Sequence, residues 1–161
     1  LARGQDKRRI SSHEPVKSIS KETTFNVDTS DPEILDGHIW RLAEQVSDRA
    51  KAKSLAGRVV TLKLKRADHT SLTRRMALHG STHMADVVYR TAKNRFEPVG
   101  DQGPFRLIGC GLSHLIDADG AELAPDLLDP DAGKRSAAER ATDKIRERFG
   151  PDAIKKGRAL R

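Results

Sequence analysis

The sequence has a single cysteine, Cys110, among 161 residues. One cysteine rules out an internal disulfide, and such usage suits a reducing compartment. Aromatic residues make up only 4% of the chain, with one tryptophan and one tyrosine, so stacking platforms of the kind that hold single-stranded nucleic acid are scarce. No apolar run approaches the roughly 20 residues of a membrane span, and no signal-peptide pattern opens the chain. There is no glycine-rich phosphate loop, and no acidic pair ends an apolar strand where it would hold magnesium. The six histidines make no metal set. His79 and His83 are four apart without a third ligand nearby, and His13-Glu14 lacks the spacing of a zinc enzyme. Cys110 with His114 reads as a small buried thiol, not as a nucleophile and its base. These absences predict no catalytic residue, no metal site and no cofactor within the chain itself.

Charge is abundant and unbalanced. Thirty lysines and arginines against 23 acidic residues give a formal net charge of +7, which points to a polyanionic partner, nucleic acid before membrane. Hydrophobic residues are only 36% of the chain, so about 100 residues are expected to fold while the ends stay open or marginal. The chain opens at Leu1 within a basic run, and reads as a piece of something longer.

The most regular pattern lies in Arg58 to Leu78. Val60, Leu62 and Leu64 alternate with Thr61, Lys63 and Lys65, the period of a half-buried strand. After the polar turn 66–70 the alternation resumes, with Leu72, Met76 and Leu78 on the apolar parity and Thr73, Arg75 and Ala77 opposite. Arg74 falls on the apolar parity, which predicts a bulge or a frayed edge there. Before this pair, residues 16–25 read as a first strand. Ser30-Asp31-Pro32-Glu33 reads as a helix start, with Ser30 as N-cap and Glu33 closing a capping box. Leu35, Ile39, Leu42, Val46 and Ala50 then form a helical stripe that Gly57 ends. Trp40 is placed at the edge of that helix, packed and not used in binding. A second helix is capped by Ser81 or Thr82 and carries Val87 or Val88, Ala92 and Phe96 inward. Residues 105–116 form the last strand, where Gly109 and Gly111 fall on the face away from the core. Either something approaches the backbone there or the strand is bulged and twisted.

The order is β-α-β-β-α-β, an α+β fold. Two helices cover one face of a four-stranded sheet and leave the other face open. That face collects Thr61, Lys63, Lys65, Thr73, Arg75 and Ser113, with Ser18 and Ser20, or Lys17 and Lys21, from the first strand, depending on register. Such a surface is either a solvated antiparallel face or, with its lysines and short hydroxyls, a surface for phosphate oxygens. Without aromatics it favours a duplex held by its backbone over a single strand. Beyond it, residues 117–133 form an acidic linker; its stretch from Asp117 to Asp131 has six acidic residues and no basic one. Residues 134–161 are basic, with Ala137, Ala141, Ile145 and Phe149 at fourfold spacing on a predicted helix that either docks on a protein surface or rests near DNA.

Four blocks in this order resemble a known family: Lys17-Ser18-Ile19-Ser20 with Glu22-Thr23-Thr24-Phe25; Val60 to Asp68; Leu72-Thr73-Arg74; and Arg106 to Ser113. Together they are similar to the little finger domain of Y-family translesion DNA polymerases, most of all the bacterial DNA polymerase IV group. The resemblance covers about residues 16–116. It makes residues 1–15 a tether from a preceding thumb domain. The segment from Arg146 to Arg161, with Phe149-Gly150 and Lys156-Gly157-Arg158, resembles the C-terminus of some bacterial members. The resemblance implies a sheet that grips primer–template duplex by its phosphates, through Lys17, Ser18, Ser20, Thr61, Lys63, Lys65, Thr73, Arg74, Arg75 and Ser113. It implies polymerase chemistry by carboxylates with Mg2+ in a part of the parent protein that precedes this chain, a cytoplasmic, nucleoid-associated setting, and a monomeric piece inactive alone. It also implies a sliding-clamp peptide, for which Ala124-Pro125-Asp126-Leu127-Leu128 is the nearest match; Ala124 stands where the family has glutamine, and Leu128 where it has an aromatic. Two other readings stand beside this one: a protein-interaction adaptor, and a catalytically inactive relative serving as a mutasome scaffold.

Overall fold

The computed structural model describes residues 15–120 and 129–160. The first strand β1 (Ser18–Thr29) leads into helix α1 (Pro32–Ala52), then the hairpin β2 (Leu55–Arg66) and β3 (Ser71–Thr82), helix α2 (Ala85–Phe96) and strand β4 (Phe105–Asp117). The four strands form one antiparallel sheet in the order β1-β4-β2-β3. The expected β-α-β-β-α-β order is the one observed. Beyond β4, helix α3 (Ala132–Phe149) and the turn Gly157–Leu160 complete the described chain. No helix among the described residues is long and apolar enough to cross a membrane.

Helix α1 begins one residue later than Ser30 would place it. Asp31 is the N-cap, and its Oδ1 accepts from the Glu33 and Ile34 amides at 2.9 and 3.4 Å, while Pro32 sits where a missing amide costs nothing. The apolar spacing buries Leu35, Ile39, Leu42, Val46 and Ala50. Each large side chain so buried contributes roughly 1.5–3 kcal/mol. Gly57 does not end this helix. The chain turns earlier, at Ser54, in the left-handed region with φ 51°, and Gly57 serves in β2 instead. A Cβ there would lie 2.4 Å from Leu112 Cγ, so the glycine lets the core side chain of β4 cross the strand.

Strand β2 supplies Val60, Leu62 and Leu64 to the core, and β4 supplies Ile108, Cys110 and Leu112. Burial pushes the Cys110 thiol up to about 12, so it packs as an inert group; His114 stands exposed four residues on. The turn between β2 and β3 is closed by the Thr70 amide donating to Asp68 Oδ1 at 2.9 Å, with His69 at φ 68°. The register from Val59↔Ala77 to Lys65↔Ser71 is unbroken, so no bulge occurs at Arg74; the irregularity lies between Gly57 and Val59.

The structure places Trp40 deep in the helical layer, 1% exposed and edge-on to Tyr89 at 5.2 Å between ring centroids. The start of α2 departs from expectation as well. Met84 is its N-cap and offers no side-chain acceptor, and Thr82 Oγ1 reaches only the Met84 amide at 3.1 Å. The first-turn amides of Ala85 and Asp86 donate instead to Glu139 of α3, at 2.8 and 3.1 Å.

Candidate nucleic-acid interface

Because side chains alternate across a strand, the register alone assigns the open face. Read from β1 through β4 and β2 to β3, it aligns four rows: Ser18, Ser113, Val59 and Ala77; Ser20, Gly111, Thr61 and Arg75; Glu22, Gly109, Lys63 and Thr73; Thr24, Leu107, Lys65 and Ser71. The neighbouring parity, with Ile19, Cys110, Leu62 and Leu112, is buried under α1 and α2. Of the expected phosphate contacts, Ser18, Ser20, Thr61, Lys63, Lys65, Thr73, Arg75 and Ser113 therefore share one face.

Two do not join it. Arg74 pairs laterally with Leu62, so it lies on the helix-side parity. It stays exposed because β3 is an edge strand, and its Nη1 donates to the Thr73 carbonyl at 3.2 Å. Lys17 precedes β1 on the parity of Ile19 and Lys21, which settles the first-strand alternative in favour of Ser18 and Ser20. Ser113 sits in its row, but its hydroxyl is shielded from solvent and has no partner among the described residues, so it offers a phosphate nothing without turning.

The electrostatics of the face are uneven. Lys65 and Arg75 have no side-chain partner among the described residues. Lys63, in contrast, donates to Glu22 Oε2 at 2.9 Å, with both side chains about half exposed. Glu22 was visible in the sequence only as part of a block; the spacing Ser18-Ser20-Glu22-Thr24 is the signal that puts it on the face. Gly109 lies between the pair, and a Cβ there would sit 3.1 Å from Glu22 Cβ and 3.6 Å from Lys63 Cβ. The close approach expected at this glycine is thus made by the protein's own side chains. None of the four rows contains an aromatic ring.

Several basic residues on the helical side are engaged inward. Lys51 bonds Glu139 at 2.7 Å and Asp143 at 2.6 Å; Arg135 pairs with Asp86 and Asp129; Arg146 meets Glu44 at 3.0 Å. These pairs seat α3 on α1 and α2. Nearby carboxylates hold the Lys51 ammonium above its usual range, outweighing the burial that opposes them. Lys156 lies 4.4 Å over the Trp40 ring, and the Arg158 guanidinium 4.6 Å from Tyr89. The helix of the basic tail thus docks on its own domain. Its expected apolar stripe is not the docking face: Ala137, Ala141 and Phe149 are exposed, while Glu139 is buried.

Among the described residues no three of histidine, cysteine, aspartate and glutamate converge to hold a metal. Residues 124–128, the expected clamp peptide, lie outside the described residues, as do residues 1–14 of the tether.

The profile of the impB/mucB/samB family C-terminal domain matches residues 16–124. A DNA polymerase IV of Brucella melitensis is 43% identical over 157 residues, 98% of this chain and 35% of that protein. DNA polymerase IV 1 of Mesorhizobium japonicum is 40% identical, covering 98% of this chain and 36% of its own. The chain thus spans little more than a third of the length of these relatives, and the similarity runs through the docked tail. Among solved structures, a Y-family DNA polymerase chimera superposes with a TM-score of 0.57 at 15% identity, covering 64% of this chain and 30% of that one, a likeness of fold.

Proposed function

The chain belongs to the impB/mucB/samB family of C-terminal domains, the little fingers of Y-family polymerases, and from that premise we propose that it grips primer–template duplex for an error-prone DNA polymerase acting in damage bypass. The observation that carries the reading is the open sheet face, where Lys65 and Arg75 have no side-chain partner among the described residues and stand amid the hydroxyls of Ser18, Ser20, Thr61 and Thr73. Lysine, arginine and short hydroxyls are the side chains that bond phosphate oxygens. Four strands at about 4.8 Å spacing span roughly 14 Å, too wide to enter a major groove about 12 Å across. The sheet therefore bridges the flanking backbones and leaves the bases unread. A grip without sequence preference suits an enzyme that must move along its template. Nucleotidyl transfer, with its Mg2+ and carboxylates, belongs in this proposal to the rest of the polymerase.

The test is fluorescence anisotropy on a primer–template duplex across a salt series. A log–log slope of roughly −2 to −3, at about −0.9 for each phosphate neutralised by a lysine or arginine of the face, is expected for the wild type. Lys65→Glu/Arg75→Glu should cut the affinity at least tenfold and flatten the slope equally on unrelated sequences. Binding that is absent, or indifferent to these substitutions, removes the reading and leaves the adaptor. Clamp engagement through Ala124-Pro125-Asp126-Leu127-Leu128 is part of the same proposal; Leu127→Ala/Leu128→Ala should abolish co-elution with a sliding clamp, and unchanged co-elution would remove that contact.

A further inference from the structure

We propose that Glu22 is a built-in competitor for DNA phosphate at Lys63, weakening the grip of the sheet at its centre. The inference rests on the duplex-binding reading of the open face. Three cations and one carboxylate occupy the four rows of that face. The carboxylate is placed against one cation only: Glu22 Oε2 lies 2.9 Å from Lys63 Nζ, whereas Lys65 and Arg75 have no partner among the described residues.

The geometry is specific to one row. Glu22 and Lys63 stand on β1 and β2, which are separated by β4, so their backbones are about 10 Å apart. Two long side chains span that distance only over a bare strand, and the residue between them is Gly109. In the next row Gly111 lies equally bare between Ser20 and Thr61, side chains too short to meet. The paired row presents a neutral couple to an incoming backbone.

A phosphate that reaches Lys63 must displace the Glu22 carboxylate or share the ammonium with it. Either way the charge gained from Lys63 is largely cancelled, and the contact adds little to counterion release. The exposed pair is weak, so it yields to a well-placed phosphate and re-forms when the phosphate leaves. Lys65 and Arg75 hold the duplex, and the Glu22–Lys63 couple sets how tightly.

The experiment measures duplex affinity by anisotropy between roughly 50 and 200 mM salt. Glu22→Gln should bind three- to tenfold tighter at about 100 mM salt, with a slope steeper by about 0.9. Glu22→Gln/Lys63→Gln, again a neutral couple, should return to within about twofold of the wild type. Glu97→Gln, the same charge change on an exposed residue at the end of α2, should leave affinity unchanged. A Glu22→Gln protein that binds no tighter overturns the inference, provided Arg75→Glu still weakens the wild type. So does a double variant as tight as the single one, because the gain would not run through Lys63. So does a Glu97→Gln protein that gains as much as Glu22→Gln, because net charge would then suffice. A wild type that shows no salt-dependent binding sensitive to Arg75→Glu overturns the duplex reading itself, and the competitor with it.

Discussion

On the open sheet face Lys65 and Arg75 meet no side-chain partner among the described residues, and Lys63 meets one across a bare strand. Behind the helices, Lys51, Arg135 and Arg146 each meet a carboxylate within 3.0 Å, and Glu139 beneath them is 4% exposed. The residue types are the same, but their surroundings give them different work. A buried carboxylate that accepts from two backbone amides and an ammonium is costly to strip of its partners, so the tail side uses charge to hold the chain together. An exposed cation on a sheet contributes little to stability and stays available to another molecule. The net charge of +7 is therefore a poor guide to where a polyanion binds, since several of the cations it counts are already committed to the chain's own carboxylates.

The largest way to stress this contrast is Trp40→Ala. The ring is buried, edge-on to Tyr89 and covered by Lys156, so its loss should cost about 3–5 kcal/mol in urea unfolding. A cost near zero would mean that the helical layer is not the stabilising side. Next comes Glu139→Ala, which strips the α2 amides of their acceptor and leaves Lys51 with Asp143. It should cost about 2 kcal/mol, limited because α3 can swing out and let water take its place. Hydrogen exchange should speed up along residues 132–149 while the duplex salt slope stays as it was. A changed slope would show that the two sides are coupled.

The third effect is small by design. Lys65→Ala and Arg75→Ala should each move stability by less than about 0.5 kcal/mol while weakening duplex binding severalfold; a marked drop in melting temperature would erase the contrast. These residues were legible in the sequence because period-two alternation is local, and Val60 to Lys65 contains all the information needed to give each side chain a face. The faces of Arg74 and Glu22 follow from the same alternation; what the sequence does not show is what lies alongside them, and the Glu22–Lys63 couple joins residues 41 apart. The cap of α2 was hidden for the same reason, since its acceptor comes from Glu139, 54 residues after Ala85. The helix of the tail was legible as a helix, but fourfold alanine spacing suggested an apolar docking face. The real contact is ionic, and alanines gain too little from burial to outweigh such a network.

The smallest expected effect is a pH dependence confined to the helical side. Burial, reinforced by the Lys51 charge, holds His83 below the usual histidine range against the opposing pull of Glu139 and Asp143, and its Nδ1 is buried without a partner among the described residues. Burial, reinforced by Arg41, does the same to His38. A histidine whose folded pKa is depressed is taken up neutral, so the unfolded chain binds more protons as pH falls through about 6.5. The stabilisation is complete above that pH and is lost as pH drops toward the folded values, before most carboxylates titrate. Urea midpoints should accordingly decline between about pH 7 and pH 5, and His83→Gln should flatten part of that decline. Duplex affinity extrapolated to a single salt concentration should not share the His83 component, because none of the four sheet rows contains a histidine. If His83→Gln altered the pH profile of binding as much as that of stability, the protonation of the helical side would reach the sheet, and the two faces would have to be treated as one coupled unit.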